Sequence, residues 1–124
     1  MIQFAESPQI STWRSILVVD SNALTSSAIG LFVDYVYHAA THVIRHSTEI
    51  EHVDLSQLSY AFLEPLLDDG NTFELARRLK RNQTPFAFLS MSERLELPDD
   101  LYDCPFVEKP CSEERMIAIL NRYL

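Results

Sequence analysis

The sequence predicts an α/β domain in which a parallel sheet is covered by helices on both faces. Two observations predict it. Short continuous apolar runs such as ILVV (16–19) and YAFL (60–63) lack the polar alternation of a half-exposed strand, so they suit strands buried on both sides. Segments of helical periodicity lie between them, and alternating strands and helices imply parallel pairing through right-handed crossovers. At 124 residues the chain is one domain, able to bury roughly two-thirds of its unfolded surface.

Each element can be justified in turn. Residues 1–13 show no clear periodicity and carry Pro8 in a polar stretch, so they read as an N-terminal extension, with Trp13 as its anchor to a domain spanning 14–124. The first strand runs to Asp20, where Ser21 and Asn22 break the pattern and offer a helix cap. Leu24, Ala28, Leu31, Phe32, Tyr35 and Val36 recur at helical spacing, which predicts an amphipathic helix over 22–37 with that stripe as its apolar face. THVIR (41–45) reads as a second strand, 47–53 as a short weak helix, and 60–63 as a third strand ending at Glu64-Pro65. Residues 67–72 have the composition of a loop. A helix over 73–81 follows, with Phe73, Ala76 and Leu79 on one stripe, then a strand over 85–90. Between 91 and 103 Pro98 permits at most one helical turn. FVE (106–108) is a fifth short strand, and Ser112 caps a closing helix marked by Ile117, Leu120 and Leu124.

Composition excludes several function classes. The net charge of −8 argues against a nucleic-acid binder, which needs clustered Lys and Arg. No apolar run is long enough to span a membrane, and the N-terminus lacks the basic and apolar regions of a secretory signal, so a cytoplasmic location is expected. Cys104 and Cys111 form no CxxC and read as two small thiols rather than a disulfide. No Ser–His–Asp pattern appears, and the expectation is a protein that is not an enzyme.

In such a sheet, ligands sit at the carboxyl ends of the strands. The residues there are Asp20, Glu64, Ser90 and, after the fifth strand, Lys109-Pro110. Two carboxylates, a hydroxyl and an ammonium at successive strand ends make a set suited to a phosphoryl group or a metal.

These residues, within ILVVDSN (16–22), AFLEPLLDDGNTFELARRLK (61–80), TPFAFLS (84–90) and FVEKP (106–110), resemble the receiver domain of two-component response regulators over residues 14–124. The resemblance implies a flavodoxin-like doubly wound five-stranded parallel sheet of order 2-1-3-4-5, with a reduced fourth helix. It implies that Asp20 matches one of two metal-binding acids, Ser90 the hydroxyl that contacts a phosphoryl oxygen, Lys109 the site lysine, and Phe106 the switch aromatic. Two positions depart from the pattern. Ser21 stands where a second acid is usual, and Glu64 stands at the phosphoacceptor aspartate. A Glu carboxylate is displaced by about one C–C bond, about 1.5 Å, and a misplacement near 1 Å can cost about a hundredfold in rate. Losing an acid at Ser21 weakens a Mg²⁺ site, for which Asp20 remains the one weak candidate ligand. Both departures imply little phosphorylation and no required cofactor.

Two readings of Glu64 stay open. Its carboxylate reaches toward Ser90 and Lys109 as a partial phosphate mimic, with one charge against nearly two, or the site is a relic holding a Glu64–Lys109 salt bridge. The resemblance further implies a contact face around Leu97, Leu101, Tyr102 and Phe106. The expected role is a stand-alone, atypical receiver acting through protein–protein contact, with a histidine kinase, another signalling protein, a second receiver or a homodimer as partner. The alternative is a working phosphoacceptor in a phosphorelay, using Glu64 or the fallback pair Asp68 and Asp69 with residual Mg²⁺. A nucleotide- or flavin-binding protein is disfavoured because no Gly-rich phosphate loop follows the first strand. His38, His42 and His46, at i, i+4 and i+8, would share a face only on one continuous helix, whereas the receiver pattern places a turn and a strand there.

Overall fold

Asp20 and Glu64 are brought side by side by the way five short strands pair, which the computed structural model describes for residues 14–91 and 97–124. The main strands are β1 (Ser15–Val19), β2 (Ala40–Ile44), β3 (Tyr60–Leu63), β6 (Phe86–Ser90) and β7 (Phe106–Glu108). All pair in parallel, in the spatial order β2-β1-β3-β6-β7. That is the expected 2-1-3-4-5 order, once the two-residue strands β4 (Leu66–Leu67) and β5 (Gly70–Asn71) are set aside as a separate antiparallel hairpin. The segment expected as loop is therefore that hairpin, with Asp68 and Asp69 at its turn. The extension at 1–13, with Trp13, and much of the stretch before Pro98 lie outside the described residues.

Strand side chains alternate between two cores, as the period of two requires. Ile16 and Val18 face the helices α1 (Ala23–Tyr37) and α3 (Glu113–Leu120), through Ile29, Val33, Met116 and Leu120. Leu17 and Val19 face α2 (Phe73–Arg81) and the 97–104 segment, through Leu75, Leu79, Leu97 and Leu101. In α3, Met116 and Leu120 supply the buried stripe, whereas Ile117 of the expected stripe stands 37% exposed.

Helix α1 corrects a second expectation. Its buried residues are Ser26, Ile29, Val33 and Tyr37, while Leu24, Ala28, Leu31 and Tyr35 point to solvent. The helix carries two apolar stripes, and periodicity alone does not choose between them. The β-branched pair Ile29 and Val33 packs in one core with Ile16 and Val18 of β1, and Ser26 satisfies its buried hydroxyl on the Asn22 and Ala23 carbonyls. Asn22 starts the helix by accepting from the Leu24 and Thr25 amides. His38 ends it in the left-handed conformation, at φ 54°.

The crossover from β2 to β3 holds no α-helix. The expected helix is a 3₁₀ segment (Ser47–His52), followed by a second one at Leu55–Gln57. Ile50, Val53, Leu55 and Leu58 are the apolar positions here, and their spacing makes no sustained α-helical stripe. Val53 closes the first segment by donating to Ile50 O, and Asp54 caps the second by accepting from Ser56 N. Arg78 on α2 donates to the carbonyls of Ile50 and Val53, so one guanidinium holds the crossover against the core. Among the described residues, the β6–β7 connection contributes only a 3₁₀ turn (Asp99–Leu101), in keeping with a reduced fourth helix, and Arg77 forks onto Asp100 at 2.7 and 3.0 Å to brace it.

Candidate functional site

The site starts from backbone pairing at the carboxyl edge of the sheet. Asp20 N donates to Ile44 O at 2.9 Å and Glu64 N to Val19 O at 2.8 Å, each extending the ladder one residue past its strand. These bonds set Asp20 and Glu64 on neighbouring strand ends. Lys109 N donates to Ser90 O at 3.0 Å, which fixes Lys109 beside Ser90. The following Lys109–Pro110 peptide is cis. The Thr72 hydroxyl, fully buried, donates to Glu64 O at 2.8 Å and steadies the turn after β3.

Lys109 is the centre of the side-chain arrangement. Its Nζ lies 2.7 Å from Asp20 Oδ2 and 3.3 Å from Glu64 Oε2. The Asp20 contact is an oblique ion pair without hydrogen-bond alignment, whereas Lys109 does donate a hydrogen bond to Glu64. Asp20 Oδ1 accepts from Asn22 N at 2.8 Å. Glu64 Oε1 accepts twice from Ser21, from its backbone N at 3.0 Å and its Oγ at 2.7 Å. The three charged side chains are 1%, 10% and 18% exposed for Asp20, Lys109 and Glu64, so little water screens them.

Burial and hydrogen bonding pull the two carboxylates apart. Burial pushes the Asp20 carboxyl above its ordinary range; Lys109 and the Asn22 amide offset this in part, and the Glu64 charge adds to it. Burial also works to raise Glu64, but the two Ser21 donors and Lys109 outweigh it and hold Glu64 below its usual value. Glu64 is the better solvated anion substitute of the two, because it has three donors around a single charge.

This geometry gives Ser21 a role that the sequence reading missed. Ser21 was expected to matter only as a lost acid. It is instead the chief hydrogen-bond donor to Glu64, where an acid would repel it. The signal was the coincidence of the two departures: a longer carboxylate at 64 needs a donor, and Ser21 supplies one. The expected contact between Glu64 and Lys109 is present. Ser90 is buried and lines the same open cavity of about 430 Å³ as Ser21, Glu64 and Lys109. Asp68 also lines it. Asp69 turns away and accepts from Ser47 N through both carboxylate oxygens.

The donor set is a poor fit to a divalent cation. Three of the four carboxylate oxygens of Asp20 and Glu64 accept hydrogen bonds and the fourth, Asp20 Oδ2, faces the Lys109 ammonium, whereas Mg²⁺ requires several oxygens in near-octahedral array. The histidines do not form a helical ladder: His38 caps α1, His42 sits in β2 and His46 precedes the 3₁₀ crossover. The four residues expected at a contact face differ in exposure. Leu97 and Leu101 are core residues, at 6% and 0% exposure, whereas Tyr102 is exposed and Phe106 half-buried.

No protein-family model matches the chain, and no curated protein matches its sequence. Solved structures do match its fold. A CheY-like response regulator receiver domain from Methylobacillus flagellatus superposes with a TM-score of 0.73 at 14% identity, over 90% of this chain and 98% of its own. The signal receiver domain of an HD domain-containing protein from Pseudomonas fluorescens gives 0.74 at 16% identity, over 90% and 86%. The non-phosphorylated HemR receiver domain from Leptospira biflexa gives 0.71 at 21% identity, over 89% and 93%. The chain has the CheY-like receiver fold, with the flavodoxin-like strand order. Among the described residues no helix is long and apolar enough to cross a membrane.

Proposed function

We propose that this chain is an atypical receiver domain of two-component signalling whose site is filled by its own Glu64, and that it signals by protein–protein contact rather than by phosphoryl transfer. One observation carries the reading: the Glu64 carboxylate bridges Ser21 and Lys109, the groups that flank the acceptor position. In-line attack on a phosphodonor needs a free carboxylate oxygen and a charge-neutralising partner. Here Glu64 has both oxygens engaged, and Lys109 is shared between two carboxylates. The same bonds hold Lys109 and the turn after β1 in one arrangement without any added group. The output then depends on a partner recognising that fixed arrangement, with Tyr102 and Phe106 as contact residues. A histidine kinase, another signalling protein or a second receiver are the partner classes such a domain would meet, in the cytoplasm. Asp68 supports the phosphorelay as a second reading, because it lines the same cavity as Ser90 and Lys109.

Intact mass after incubation with Mg²⁺ and a small-molecule phosphodonor separates the two. The native chain is expected to gain no adduct, while Ser21→Asp/Glu64→Asp, which restores the acid pair and the shorter acceptor, is expected to gain one. An adduct on the native chain would overturn the proposal, and mapping it to Glu64 or Asp68 would establish the relay.

A further inference from the structure

The solvent face of α1 is apolar along its length. Leu24, Leu31 and Tyr35 are 82%, 73% and 85% exposed, and Ala28 lies on the same side. A helix that is apolar on both faces is normally covered on both. The exposed residues fall at 24, 28, 31 and 35, a 4-3-4 spacing that forms the seam of a two-helix pair. Patches of a few hundred Å² built from such side chains mark interaction sites.

We infer that this face binds a second copy of the chain, through antiparallel packing of α1 on α1 about a twofold axis. Two features select that occupant. First, the stripe is self-complementary. An axis passing between Ala28 and Leu31 sets Leu24 against the partner copy's Tyr35 and Ala28 against its Leu31, a pairing in which each contact occurs twice. Second, the face lacks the charge that would steer a different partner. The chain carries −8 overall, yet α1 contains one charged residue, Asp34. A basic partner would find no acidic cluster there to recognise. Two acidic copies, by contrast, meet with least repulsion where neither presents charge, and in this register Asp34 faces Thr25 rather than its own copy. A helix of 15 residues is about 22 Å long, so the contact belongs among small interfaces, and the dimer dissociates at micromolar concentrations.

Sedimentation equilibrium of the full chain over a wide concentration range tests this. The native chain is expected to pass from monomer to dimer. Leu31→Glu is expected to weaken the dimer by more than about tenfold, because the twofold repeats each lost contact. Ala28→Lys/Leu31→Glu is expected to restore it, since residues 28 and 31 face each other across the axis. Leu24→Glu serves as a second disrupting variant, with far-UV circular dichroism to confirm folding. A chain that stays monomeric at the highest concentration, or a dimer untouched by both Glu variants, overturns the inference. Failure of the double variant to restore association overturns the antiparallel pairing.

Discussion

Replacing Lys109 by Met would leave two carboxylates facing each other without a cation. Asp20 is 1% exposed, and its Oδ2 faces the Lys109 ammonium and accepts no hydrogen bond from the described residues. Glu64 keeps its Ser21 donors. The cost therefore falls mainly on Asp20, as an uncompensated buried charge, for which removal of one partner typically costs about 3–5 kcal/mol. That is a large part of the roughly 5–15 kcal/mol that stabilises a domain of this kind, and it corresponds to a loss of roughly 10–20 °C in Tm. The cost should shrink on acidification, because Asp20, already raised by burial and then deprived of Lys109, takes up a proton more readily. Asp20→Asn/Lys109→Met should recover most of the loss, since it removes both buried charges. Urea unfolding at about pH 7 and pH 5, for the two single variants and the double, measures each quantity. A Lys109→Met cost below about 1 kcal/mol at neutral pH, the size of an exposed ion pair, would refute the reasoning.

Three further outcomes are expected from the same structure. In a carbon-13 carboxyl titration, Asp20 should titrate above its ordinary 3.8 and Glu64 below its ordinary 4.5. Glu64 then contributes stability that is present above 4.5 and lost as the pH falls through its lower folded value, while ionising Asp20 costs stability as the pH rises from 3.8 to its higher folded value. Ser21→Ala should move Glu64 upward by removing one of its donors, and an unmoved Glu64 would show that the hydroxyl contributes nothing. On α1, Ile29→Ala should cost about 2–5 kcal/mol, whereas Leu31→Ala should stay within about 0.5 kcal/mol in dilute, monomeric protein. Equal costs would mean that the buried and exposed stripes have been exchanged.

The β framework was legible because its signal is local. ILVV and YAFL admit few conformations other than doubly buried strands, and the polar residues that close them fall at the carboxyl edge whatever the details of packing. The helix stripes were less legible. In α1 both faces are apolar, and the decision between Ile29 and Leu31 is made by the shape of β1 beneath them, which no window of sequence contains. The 3₁₀ crossover escaped for a related reason, since the Arg78 clasp acts through contacts distant in sequence. At the site, the positions of Asp20, Glu64, Ser90 and Lys109 followed from strand ends, and the Glu64–Lys109 contact followed from charge. The bond from Ser21 to Glu64 did not, because a serine in place of an acid reads as a deletion until its distance to residue 64 is known.

The crossover between β2 and β3 divides the molecule by mechanical stiffness. One side of the sheet is clamped by continuous helices. The other carries α2 as well, but its crossover at 47–57 is held by short 3₁₀ turns, one arginine, a few apolar side chains and the tether from Ser47 to Asp69. Segments with so few internal hydrogen bonds open at a free energy well below that of global unfolding. Their amides should exchange with solvent ahead of those in β1, β3 and β6, and β2, an edge strand beside them, should follow next. The Asp20–Glu64–Lys109 cluster is anchored on the slow-exchanging strands, so its arrangement can persist through local openings of the crossover.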